Sequence, residues 1–94
     1  LPGEDIDAIW TIQNTSNRAW LVGTADYRFA GGEEMHKYED VYDITRDIPD
    51  GEVTEIVVDL RAPSEPGYHT TRWEVTWAGK TVCALPITIF VTAP

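Results

Sequence analysis

Cysteine is nearly absent from this 94-residue chain: Cys83 stands alone, so neither an internal disulfide nor a cysteine-rich zinc site is available. Cations are scarce too. Seven Lys and Arg against sixteen Asp and Glu leave a net charge of −9, which repels a phosphate backbone and excludes nucleic acid as a partner. Anionic membrane surfaces are disfavoured for the same reason. No run reaches the roughly 18 apolar residues needed to cross a bilayer, so direct membrane insertion is excluded. No charged start leads into an apolar run, so a signal peptide is not evident. The chain begins at Leu1 rather than Met, as expected of a processed piece or of one excised from a longer protein. A place outside the cell or at its surface is favoured over the cytoplasm. Helical stripes are also missing, since no segment of ten or more residues repeats its apolar side chains at 3.6.

What the chain does have is bulk. Four Trp, four Tyr and two Phe in 94 residues can fill one core, and the length suits a single domain over residues 1–94. Period-two alternation dominates. Ile6, Ala8, Trp10 and Ile12 share one face of a first strand. Asn14-Thr15-Ser16-Asn17 then turns the chain, because such side chains bond their own backbone. A second strand covers Asp26 to Ala30, with Tyr27 and Phe29 on one side, and Gly31-Gly32 ends it. Glu33 to Glu39 lacks periodicity and reads as a loop. An irregular third strand is expected within Val41 to Ile48, and Pro49-Asp50-Gly51-Glu52 is a turn. Ile56, Val58 and Leu60 mark the next strand. The prolines of Ala62 to Gly67 interrupt it, and Thr71, Trp73, Val75 and Trp77 line the one after. Ala78-Gly79-Lys80 is a tight hairpin. Cys83, Leu85, Ile87, Ile89 and Val91 share a face of the last strand, where Pro86 indicates an edge or a bulge. Together these predict an all-β fold, an immunoglobulin-like antiparallel sandwich of about seven strands.

Several motifs then fall in a known order: Trp10-Thr-Ile-Gln-Asn14 with Trp20, Phe29-Ala-Gly-Gly-Glu-Glu-Met35, Ile48-Pro-Asp-Gly-Glu52, Leu60-Arg-Ala-Pro63, Pro66-Gly67, and Trp73-Glu-Val75 with Gly79. In this order they resemble the four-tryptophan domain, the immunoglobulin-like domain of the next-to-BRCA1 family, over about 80 residues. The resemblance implies a β-sandwich without catalytic activity. Eukaryotic domains of this kind bind protein cargo or partners in autophagy receptors and adaptors, and bacterial ones occur in multidomain, often exported proteins. The family also has a further strand before its first tryptophan. Where it has an aromatic after Pro-Gly this chain has His69, its Phe-Gly reads Val82-Cys83, its fourth tryptophan becomes an aliphatic near Ile87, and Trp77 is extra.

The inward phase of Trp10, Trp20 and Trp73 assigns them to the core. Trp77, at a strand end, is a candidate for partner contact. The acidic residues from Glu33 to Asp59 face only Lys37 and Arg46 in that span, which favours a basic partner or a solvated acidic surface; calcium would need convergent oxygens, and no EF-hand spacing is present. His36 and His69 have no partner at metal-ligand spacing, so no metal site and no cofactor are expected. Cys83, His69 and Asp59 do not form a nucleophilic set, because a thiol on an inward strand face is an inert hydrophobe. The expectation is a non-catalytic module that binds protein through Glu33, Glu34, Met35, His36, Tyr38 and Trp77. Three other readings remain open: a structural subunit of a surface layer or filament, self-associating through an exposed strand edge; a carbohydrate-binding accessory domain; and, from the resemblance, a cargo-binding domain of an autophagy receptor.

Overall fold

The alternating segments become six strands in a computed structural model that describes residues 3–92. They are β1 (Asp5–Gln13), β2 (Ala25–Gly32), β3 (Val41–Asp43), β4 (Val53–Arg61), β5 (Gly67–Trp77) and β6 (Lys80–Val91). β1 and β4 form one antiparallel sheet; the other runs β3-β2-β5-β6, also antiparallel throughout. A six-stranded sandwich thus stands close to the seven strands expected, and no helix is present among the described residues.

Alternation decides what each strand buries, because successive side chains on a pleated backbone point to opposite faces. Ala8 on β1, Ile56, Val58 and Leu60 on β4, Trp73 and Val75 on β5, and Leu85 on β6 meet between the sheets, joined by Trp20, Ile44 and Ile48 from the connections. Trp20 and Ile48 also exchange backbone hydrogen bonds of 2.9 and 2.8 Å, so the two connections that carry them close one end of the core.

Three expectations change in detail. The second strand is longer than Asp26 to Ala30, running to Gly32 past a bulge between Phe29 and Gly31. The strand expected within Val41 to Ile48 is confined to Val41–Asp43, and Ile48 makes only its bridge to Trp20. Trp10 points inward as expected but is only half-buried, and its indole N–H reaches across to the Pro86 carbonyl on β6 at 2.9 Å. Pro86 is indeed on an edge, since β6 pairs with β5 alone.

Candidate functional site

Gly31 and Gly32 build the site by letting β2 pass close to β5. Gly32 has φ +79°, and a Cβ there would stand 2.6 Å from the Thr70 carbonyl oxygen, so only glycine fits. The chain then crosses from one sheet to the other. Glu33 N–H donates to the Thr70 carbonyl of β5 at 2.8 Å, Arg61 N–H of β4 donates to the Met35 carbonyl at 2.8 Å, and Lys37 N–H donates to the Asp59 carbonyl at 3.1 Å. Phe29 N–H donates back to Asp40 at 2.8 Å. Residues 33–39, expected as a loop, therefore form with Asp40 a strap bonded to three strands, and the Met35 side chain is buried beneath it.

Between this strap and residues 61–63 lies a cleft of about 570 Å³, lined by Glu33, Glu34, Met35, His36, Lys37, Tyr38, Arg61, Ala62 and Pro63. Five of the six candidate residues line it. Tyr38 is 64 % exposed, and the Lys37 ammonium sits 5.5 Å from its ring centre. Lys37 and Arg61 both reach Asp5 on β1, at 3.5 and 3.4 Å, and the Lys37 charge holds the Asp5 carboxyl below its ordinary value. The sixth candidate, Trp77, is placed elsewhere. It pairs with Ala25 at the start of β2 while the strap leaves from the end of that strand, about 25 Å away at the usual rise per residue. There it is half-buried against the core, with the Arg18 guanidinium 4.9 Å from its ring centre.

His36 is the unexpected element. Its side chain is 0 % exposed, its ring lies 4.9 Å from that of Phe29 and 5.0 Å from that of Trp73, and its Nδ1 is buried without a hydrogen-bond partner among the described residues. Nε2 looks outward, 2.5 Å from Asp40 Oδ1 and 3.7 Å from Glu34 Oε1. The spacing of these three residues carries no recognisable metal signature, which is why the sequence points away from them. The one cue was Met35, an apolar residue alone in a charged stretch that had to be buried somewhere.

His69, at the far flank of the strap, is held by Glu33 Oε1 at 2.6 Å and by the Glu65 carbonyl at 2.8 Å. The hydrogen bond to Glu33 first, and that to Glu65 second, raise its pKa above the usual histidine value. Cys83 is opposite Val75 whereas His69 is opposite Ile89, so the thiol and imidazole lie well apart along the β5–β6 ladder. Burial pushes the Cys83 thiol up, away from thiolate character.

Comparison with known proteins extends this picture. The profile of the family described as "Ig-like domain from next to BRCA1 gene" matches residues 1–91. Protein ILRUN of Danio rerio is 26% identical over 77 residues, which cover 82% of this chain and 26% of that protein. The chain thus spans about a quarter of the length of that relative.

Proposed function

This chain belongs to the family of the Ig-like domain from next to BRCA1 gene, and from that premise we propose that it is a non-catalytic protein-interaction module whose partner enters the cleft beside the strap. The observation that carries the reading is the convergence of Glu33, Glu34, Met35, His36 and Tyr38 on one concave surface together with Arg61, Ala62 and Pro63. Concave sites with an exposed aromatic and a few polar groups are where recognition concentrates.

The cleft suits an extended segment with one apolar side chain and one or more basic ones. Tyr38 offers an aromatic face, Glu33 and Glu34 offer carboxylates, and both local cations are already engaged with Asp5. A net charge of −9 adds long-range attraction for a basic partner. All four tryptophans are buried or half-buried, so the tryptophan content lends no support to a glycan-stacking platform.

The test uses a displayed library of random linear peptides selected against the whole chain. Selected peptides should be enriched in Lys or Arg next to an aliphatic or aromatic residue. Tyr38→Ala and the paired exchange Glu33→Gln with Glu34→Gln should each weaken them at least tenfold, and their amide shift perturbations should centre on residues 33–38 and 61–63. Perturbations centred on the exposed Tyr68–Phe90 pair, or undiminished binding by both variants, would overturn the assignment of the cleft.

A further inference from the structure

We propose that Glu34, His36 and Asp40 form a binding site for one divalent transition-metal ion of zinc type, with its remaining coordination position open toward the cleft. One ligand atom from each residue lies within 4.8 Å of the other two. The imidazole is the anchor. Its ring is wedged against Phe29 and Trp73 with no side-chain exposure, so packing holds Nε2 aimed at the surface and little rotamer freedom is lost when an ion binds.

The two carboxylates supply what the imidazole lacks. Both are 69 % exposed and can adjust by rotation about their own bonds. Two ligands on a tetrahedral zinc at ordinary bond lengths stand about 3.3 Å apart. Glu34 Oε1 is already 3.7 Å from Nε2, and Asp40 Oδ1, at 2.5 Å, has to swing outward by less than about 1 Å. In the ion-free chain Asp40 Oδ1 contacts His36 Nε2 directly, and the metal takes the place of that contact.

Charge and donor type then choose among ions. Two carboxylates neutralise a divalent charge, and an ion between them relieves repulsion on a chain of net charge −9. A nitrogen donor favours zinc, cobalt, nickel or copper over calcium, which takes oxygen alone. Three protein ligands leave one tetrahedral position for water or for a donor from whatever occupies the cleft. Because Nδ1 has no hydrogen-bond partner among the described residues, the usual outer bond that raises imidazole basicity is missing, which makes this a moderate-affinity, exchangeable site. The proposal does not depend on the peptide reading, since the ion alone is its probe.

The experiment is a calorimetric titration of the metal-free whole chain with Zn²⁺, with Ca²⁺ as comparison, and an imidazole ¹⁵N spectrum with and without Zn²⁺. One equivalent of Zn²⁺ should bind, Ca²⁺ should bind at least tenfold more weakly, and the Nε2 resonance of His36 should shift while those of His69 stay in place. Glu34→Gln and Asp40→Asn alter exposed side chains, so the fold is kept; each should weaken Zn²⁺ at least about tenfold. Glu55→Gln, on the outer face of β4, should leave it unchanged. Absence of Zn²⁺ binding, equal affinity for Ca²⁺, unaltered affinity in both ligand variants, or a shift at His69 instead of His36 would overturn the proposal.

Discussion

Asn14, fully buried at the end of β1, donates its side-chain N–H to the carbonyl of Ile48, 34 residues further on, at 3.0 Å. The same Nδ2 donates to the Arg18 carbonyl at 2.7 Å, and Oδ1 accepts from Ser16 N–H at 3.1 Å and from Ser16 Oγ at 2.7 Å. One amide thereby shapes the turn expected at residues 14–17 and ties it to the connection that leads into β4. Asn14→Ala removes one of the two donors to the Ile48 carbonyl, which keeps Trp20 N–H, together with the shorter bond to the Arg18 carbonyl and the acceptor for Ser16, and should lower stability by about 1–3 kcal/mol. Urea unfolding checks this, with the midpoint falling and the slope unchanged.

The strap depends on Gly32 in a way that other left-handed glycines do not share. Gly51 has φ +88° but open space around a would-be Cβ, so Gly51→Ala should cost only about 1 kcal/mol for the backbone conformation. Gly32→Ala adds a collision with the β5 backbone and should cost about 3 kcal/mol or more, or shift the strap off Thr70. Paired thermal melts, with amide exchange at Glu33 as a local reporter, distinguish the two substitutions.

On the outer face of the smaller sheet Asp7 stands directly across from Asp59. A hydrogen bond to Asp59, then local desolvation and the Asp59 charge, raise the Asp7 pKa. A carboxyl raised in the folded state favours folding below its unfolded value near 3.8, and this contribution is lost as pH climbs through the folded value. At neutral pH the pair is therefore a liability. Asp7→Asn should raise the melting temperature at pH 7 by about 1–4 °C, and the gain should vanish in melts below about pH 3.8.

His69 titrates the flank of the strap. Its two ring nitrogens face the Glu33 carboxylate and the Glu65 carbonyl, so only the protonated ring donates to both. With the folded pKa raised above 6.5, the stabilisation is complete below 6.5 and is lost as pH rises through the folded value. His69→Gln should be less stable than the parent chain at pH 5.5, and the gap should narrow steadily as pH is raised through and beyond 6.5. A gap that stays constant across that range would count against this linkage.

Much of the fold was legible from residue order. The inward sets Ile56, Val58, Leu60 and Thr71, Trp73, Val75 fall where alternation placed them, and Ala78-Gly79 makes the hairpin with φ of +50° and +81°, the signs a two-residue turn between twisted strands requires. The motif order around Trp10, Asn14, Trp20 and Trp73 led to the family that the comparison shows. The strap was not legible, because its hydrogen bonds go to partners on β4 and β5 rather than to neighbours in sequence, and a strap lying across a sandwich has no period. Tryptophan exposure was not legible either. In the sequence Trp77 continues the alternation of Trp73, but a bulge between Val75 and Thr76 shifts the register, so Val75 and Thr76 are both buried and Trp77 is only half-buried.

Chain order alone determined the strands, their inward faces and the strong acidic balance, since side-chain alternation is a property of the extended backbone and charge is a property of composition. Tertiary structure decided that residues 33–40 cross between the sheets and fold His36 beneath them. It also decided that Glu34 and Asp40 meet at the Nε2 edge of that buried imidazole. Convergence of this kind depends on which strands face each other at what distance, and a backbone period carries no such information.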